Sequence, residues 1–327
     1  MTAPSSGVRQ PLQARLDLVL SHLRHQGFVV EEGRCLREEH DNASAPAIER
    51  AAELNAALLR PDIAAVMPPW GGERAIEVLP LVDWPALAVA EPKWLLGYSD
   101  VSTLLLPLLL RAGWAGAHGP NLMDRGPAQN DPLTAGMLDL LMRPSLSGAK
   151  LESSVSNTPA WVDWAEHPDA GWEFMKTTRW QVLGEERPVA FAGRLVGGCL
   201  DTVSRLAGTA YGDIPDFVGR HAAEGVVLFL ENCELNPTEC LRALISLRWQ
   251  GWFDGLAGLM LGRSAAPEVS TAQGLDYVGA LRAALGGLPY PVLYDLDIGH
   301  CAPQFTLVCG ALAEVRCDGR LGSVVYR

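Results

Sequence analysis

No Cys-x-x-Cys pair occurs in the 327 residues, and the cysteine count is odd: Cys35, Cys199, Cys233, Cys240, Cys301, Cys309 and Cys317. An odd set without close pairs argues against a disulfide framework or a zinc knuckle and points to a reducing cytoplasm. Cys233, Cys240 and His300 lack metal-ligand spacing, so neither metal nor cofactor is expected. Runs of Lys and Arg are also missing. Acidic residues outnumber basic ones 38 to 26, for a net charge of −12, which removes the basic footprint that a nucleic-acid backbone requires. Nothing approaches about 18 uninterrupted apolar residues; "LLLPLLL" (104–110) is short and broken by Pro107. The opening "MTAPSSGVRQ" lacks the charged-then-apolar layout of a signal peptide. Nucleic-acid and membrane partners are therefore not expected.

What is present is a globular composition, 48% hydrophobic and 20% charged, at a length that suggests about two domains. Leu12, Leu16, Val19, Leu20 and Leu23 form one helical stripe, stopped by Gly27 before the strand-like "FVV". "PAIERAAELNAALLR" (46–60) predicts a second helix with Pro46 in its first turn. "IAAVM" (63–67), "WLLGY" and "WAGAH" predict short apolar strands, with a helix from Asp100 to about Arg111 between the last two. Apolar strands alternating with helices predict a parallel sheet covered on both faces, a flavodoxin-like α/β domain over 1–145. Residues 146–188, rich in Ser, Pro, Gly and Trp, read as a connector. Over 189–327, a C-terminal mixed α/β domain is expected. Its signals are "GRLVGG" (193–198) with a helix through Leu206, "GVVLFLE" (225–231), a helix over 237–250, "LAGLMLG" (256–262), a helix near 272–285 and "PVLYDLDIGH". The tail "FTLVCGALAEVRCDGRLGSVVYR" alternates and turns at "DG", as an antiparallel hairpin does.

Chemistry concentrates at element ends. In "LLGYSD", Ser99 stands at a strand-to-helix turn that exposes its hydroxyl beside helix N–H groups. Gly97 fits a G-x-S-x-G elbow, whereas Val101 replaces the second glycine. The other reading is that Ser99 or Asp100 caps the helix. A nucleophilic serine needs a base and a carboxylate to orient it. His300 in "DIGHCAPQ" and His118 in "AHGP" have the same local setting, and spacing does not choose between them. Glu231 closes an apolar strand, where a carboxylate requires a partner: a histidine, an arginine or a helix N-terminus. "PPWGGER" brings Gly71 and Gly72 to a turn whose N–H groups can approach an anion. "VGGCLD" is a second such turn. Trp161, Trp164, Trp172 and Trp180 either stack on a planar ligand or pack as scaffold.

Six segments in one order, "GG" after a strand, "GYSD", "HGP", "GRLVGGCLDTVSRLAGT", "LFLENCE" and "GHCAPQ", resemble the LD-carboxypeptidase family of serine peptidases. The wording of "GGCLDTVSRLAGT" and "LFLENCE…FDGLAGLMLGR" is most similar to the branch like the microcin C immunity protein. The resemblance runs from about residue 3 to the C-terminus. It implies a Ser-His-Glu triad across two domains, with Ser99 as nucleophile, His300 as base and Glu231 as the orienting carboxylate. Oxyanion donors would be the backbone N–H of Asp100 and of Gly71 or Gly72, and a homodimer would be the usual assembly. His118 would lie near the site but outside the triad, forming a substrate-binding surface with Trp161, Trp164, Trp172 and Trp180. The substrate class implied is an amide in an aminoacyl-nucleotide or acyl-sulfamoyl adenylate. The alternatives are the terminal D-amino acid of a muropeptide, or a small ligand held without catalysis. One departure stands out. Family members open with a buried strand before the "PSS" turn, and here only three residues precede Pro4. Either the start lies upstream or the strand is lost, so the slot beside "IAAVM" or "FVV" is expected to be thinly filled.

Overall fold

The computed structural model describes residues 1–128, 131–184, 187–267 and 274–327. The stripe on the first helix, Gln13–His25, buries Leu16, Val19, Leu20 and Leu23. The helix Ala47–Leu59 buries Ala51, Leu54 and Leu58 against the same core. Both follow from apolar residues recurring at helical spacing.

Among the described residues, fourteen strands are arranged in three sheets. In chain order they are β1 (Ala65–Val66), β2 (Trp94–Gly97), β3 (Ala117–His118), β4 (Lys150–Glu152), β5 (Ser156–Asn157), β6 (Lys176–Thr177) and β7 (Gln181–Val182). There follow β8 (Val189–Cys199), β9 (Val226–Glu231), β10 (Gly258–Gly262), β11 (Val292–Leu296), β12 (Leu307–Val308), β13 (Leu312–Cys317) and β14 (Gly322–Tyr326). The first sheet has the order β1-β2-β3-β12 and the second β4-β14-β13-β8-β9-β10-β11-β7, while β5 and β6 pair separately. Strands β1 to β3 are mutually parallel, as are β8 to β11. All six residues of β9 are buried, because parallel strands on both flanks and packing on both faces leave no polar side.

Several sequence expectations need correction. Phe28–Val30 form no strand among the described residues, and Val29 is fully exposed; a cavity separates them from the edge strand β1. The tail divides, since Leu307–Val308 joins the first sheet antiparallel to β3 while β13 and β14 make the hairpin. The connector contributes ordered structure, β4 closing one edge of the large sheet and β7 the other. The helix after β8 is short, Leu200–Val203, and the helix expected near 272–285 spans Tyr277–Leu285. Residues 272–273 of that expectation lie outside the described residues.

Met1–Ala3 also form no strand. The Met1 carbonyl accepts from the Gly33 N–H at 2.7 Å, and the Thr2 hydroxyl donates to Glu53. A cavity of about 600 Å³ lies beside β1, lined among others by Met1, Phe28, Val66, Leu138 and Leu141. Among the described residues, no helix is long and apolar enough to cross a membrane.

Candidate active site

β2 ends at Gly97, and the chain turns through Tyr98 into a single 3₁₀ turn, Ser99–Val101, which leads into the helix Ser102–Ala112. Ser99 takes a left-handed backbone, φ 61°. A non-glycine residue there is strained and persists only where its surroundings hold it. The holding groups are explicit. The Asp100 carboxylate accepts from the Ser5 hydroxyl at 2.6 Å, the Ala75 N–H at 2.8 Å and the Thr103 hydroxyl at 2.9 Å. Burial pushes its pKa up, and these bonds oppose that rise. On the other side, the Asn121 side-chain oxygen accepts the Tyr98 N–H at 3.2 Å.

The glycine turn after β1 closes over this elbow. A Cβ on Gly71 would lie 2.6 Å from the Asp100 nitrogen and 2.8 Å from Ser99 Oγ, so only glycine permits the approach. Gly72, φ 135°, faces Ser5 and Ser6 instead. Of the two glycines, Gly71 is the one that abuts the serine.

Glu231 is the last residue of β9 and is 1% exposed. Its Oε2 lies 2.8 Å from His300 Nδ1. Gly299, φ 88°, leaves room for this pair, since a Cβ there would sit 2.3 Å from Oε2. Burial alone would raise the carboxyl pKa, but the His300 imidazole, with His118 behind it, outweighs that and holds Glu231 far below the ordinary range. Burial alone would likewise lower the His300 pKa, and the Glu231 carboxylate reverses that, leaving it well above its usual value. The alternative arginine partner for Glu231 is not found among the described residues.

His300 belongs to a loop pinned from beneath. Arg263, at the end of β10, donates to Asp297 at 2.9 Å and to the carbonyls of Cys301 and Pro303 at 3.0 and 2.6 Å. Asp297 also accepts from the Trp180 indole N–H at 2.8 Å. Sequence reasoning missed Arg263, Asp297 and Asn121. Position gave the only signal, as all three sit just beyond strand ends near the site. The elbow and this loop meet where the Tyr98 ring packs edge-on against His300, with centroids 4.7 Å apart.

The expected substrate surface divides. Trp161, 59% exposed, has its ring 6.2 Å from His300, and Trp172 packs on Trp161 at 6.1 Å. Trp172 also lines a small crevice with Tyr98 and His300. Trp164 and Trp180 are scaffold, which corrects the expectation for them. Trp164 is buried beneath the Arg15 guanidinium, 4.3 Å from its ring, and Trp180 is fully enclosed against Phe305. His118 is corrected as well. It is fully buried behind Glu231, its Nε2 3.9 Å from Oε1, beyond hydrogen-bonding distance, and its ring packs on Phe229.

Comparison with known proteins bears on this geometry. The family described as LD-carboxypeptidase N-terminal domain matches residues 1–119, and that described as LD-carboxypeptidase C-terminal domain matches residues 192–315. The microcin C7 self-immunity protein MccF of Escherichia coli is 24% identical, over 91% of this chain and 84% of its own. The murein tetrapeptide carboxypeptidase of Pseudomonas aeruginosa is 28% identical, over 92% of this chain and 87% of its own. MccF in complex with glutamyl sulfamoyl guanosine superposes with a TM-score of 0.84 at 22% identity, covering 100% of this chain and 95% of that one. Muramoyltetrapeptide carboxypeptidase from Oxalobacter formigenes gives 0.75 at 22% identity, with coverage of 100% and 98%. At that identity the superpositions speak for the fold, and the matches to both family domains make this chain a member of the LD-carboxypeptidase family of serine peptidases.

Proposed function

We propose that this enzyme hydrolyses an amide through a Ser99–His300–Glu231 triad, with an aminoacyl-nucleotide or acyl-sulfamoyl adenylate as substrate. The observation that carries the reading is the buried His300–Glu231 pair at 2.8 Å, met by Tyr98, the residue before a left-handed Ser99, whose ring packs on His300. Glu231 accepts the Nδ1 proton and so keeps Nε2 free to act as base. Ser99 Oγ attacks the carbonyl carbon as its proton passes to Nε2. The oxyanion forms against the Asp100 N–H and the Gly71–Gly72 turn, whose close fit to Ser99 Oγ supports that role. The C–N bond breaks as His300 returns the proton to the leaving nitrogen. Water then cleaves the acyl-enzyme by the same proton route. A positioned base contributes roughly 10²–10⁴-fold to such a reaction.

The exposed Trp161 beside His300 favours a nucleotide, because an adenine offers a planar face to stack while a muropeptide tail offers none. The relatives' names point both ways, one to microcin immunity and another to murein tetrapeptides. A second reading, muropeptide cleavage, rests on Lys176 and Arg179. Both line a cavity of about 720 Å³ that reaches Cys301, next to His300, and can receive a carboxylate. A serine-reactive fluorophosphonate probe, with Ser99→Ala as control, tests the nucleophile. Hydrolysis of an aminoacyl-sulfamoyl adenylate against a tetrapeptide muropeptide tests the substrate. Labelling that persists in Ser99→Ala overturns the triad, and turnover of the muropeptide alone overturns the nucleotide.

A further inference from the structure

Cys199 ends β8 directly across from Glu231 in the parallel register of β8 and β9. Position thus brings a thiol to the catalytic pair that spacing along the chain does not reveal. One ligand atom each from Cys199, Glu231 and His300 lies within 4.8 Å of the other two, and all three residues are buried. Cys233, two residues beyond Glu231, places a second thiol near His300. Thiolate, carboxylate and imidazole are the donors that Zn²⁺ takes, at about 2.3, 2.0–2.2 and 2.0–2.1 Å. Those bond lengths put neighbouring ligand atoms roughly 3.3–3.6 Å apart around a tetrahedral ion. The 2.8 Å contact between Nδ1 and Oε2 must then open by a few tenths of an ångström while the thiol draws in.

We propose that a single zinc-class divalent cation binds to Cys199 Sγ, Glu231 and His300 Nδ1, and that its binding switches the hydrolase off. The cation displaces the proton shared by Nδ1 and Oε2, which moves to Nε2, and the thiol proton of Cys199 leaves to solvent. Thiolate and carboxylate together balance its two charges. With Nδ1 bound to metal, the proton of a neutral imidazole resides on Nε2. That nitrogen then has no lone pair for the Ser99 proton, and Glu231 no longer orients the ring. The sulfur donor selects Zn²⁺, Co²⁺ or Cd²⁺ over Mg²⁺ and Ca²⁺, which take oxygen ligands.

The test uses the full chain with metal alone as the probe. Titration with Co²⁺ should raise a thiolate-to-cobalt charge-transfer absorption that saturates at one equivalent. Zn²⁺ should suppress fluorophosphonate labelling of Ser99, EDTA should restore it, and Mg²⁺ should have no effect. Loss of even an outer partner of a metal ligand typically costs 10–100-fold in affinity. Cys199→Ser should therefore abolish the cobalt band and raise the inhibitory zinc concentration at least about tenfold, judged against its own metal-free labelling. Cys199→Ala, with melting temperature measured alongside, guards against a folding defect in the serine variant. An unchanged band or unchanged zinc sensitivity in both variants overturns the proposal. So does a band lost in Cys233→Ser but kept in Cys199→Ser. If the wild-type chain takes no fluorophosphonate label, the triad reading has failed, and the cobalt spectrum still decides the metal site.

Discussion

β2 delivers Ser99 from a four-stranded sheet whose strands run only two to four residues, whereas β9 delivers Glu231 from the middle of an eight-stranded sheet. The small sheet holds its residue with polar pins: Asp100 ties the elbow to Ser5, Ala75 and Thr103, and Asn121 holds the peptide before it. The large sheet surrounds its residue with apolar neighbours and lets the imidazole supply the counter-charge. A strained serine needs directional bonds because packing alone does not enforce a left-handed backbone there. A buried carboxylate needs a counter-charge because the interior does not solvate it. Of the two halves, the serine's should lose geometry when a hydrogen bond is removed, and the carboxylate's should lose stability when a charge is unpaired.

The largest effect expected is on the charge pair itself. Glu231→Gln should lower kcat by about 10⁴-fold, the scale set by losing the carboxylate that fixes a triad histidine. It should also move the pH profile. With His300 held above its usual 6.5, kcat/KM for wild type should climb only as pH rises through that raised value. In Glu231→Gln the midpoint should fall toward 6.5. Stability runs the other way. The share due to His300 is full below about 6.5 and is lost as pH rises through the folded value, and the share due to Glu231 is full above about 4.5 and is lost as pH falls through its depressed value. Urea denaturation across pH should therefore place the pair's maximal contribution between those two values. A flat profile, identical in both proteins, would break the comparison.

Next in size is Arg263→Met. It leaves Asp297 buried without its guanidinium partner, a change that typically costs about 3–5 kcal/mol. Chemical denaturation should show that loss, and hydrolysis should fall as well because the His300 loop loses its pins. Asp100→Asn removes a charge from three hydrogen bonds and should cost about 1–3 kcal/mol, with a kcat decrease out of proportion to the change in Tm. A Tm loss with unchanged kcat would mean that the pins do not position Ser99. The smallest stability effect belongs to Trp161→Ala. Its exposed ring should leave unfolding free energy within about 0.5 kcal/mol while raising KM for an aminoacyl-sulfamoyl adenylate. The enclosed Trp180→Ala should instead cost roughly 3–5 kcal/mol.

Most of the large sheet was legible because its strands are apolar runs closed by glycine or a charged residue, as in "GVVLFLE" and "LAGLMLG". Leu307–Val308 was misplaced because its alternation continues into β13, and nothing local says that two residues leave to pair with β3. Phe28–Val30 has strand composition but no hydrogen-bonded strand partner among the described residues, and composition does not create one. Among the tryptophans, Trp161 and Trp180 look alike in the connector, and burial alone separates them.

By itself the sequence determined the chemistry available at each element end: a serine after Gly97, a carboxylate closing β9, a histidine after Gly299. Local steric and hydrophobic rules act over a few residues, so these are readable along the chain. Local reading left His300 and His118 open and the resemblance favoured His300; the tertiary structure set His300 at hydrogen-bonding distance from Glu231, brought Gly71 rather than Gly72 against the serine, and placed Cys199 opposite Glu231. Each of those choices depends on strand register and loop closure between segments far apart in sequence, where a shift of one residue exchanges the faces on which side chains lie.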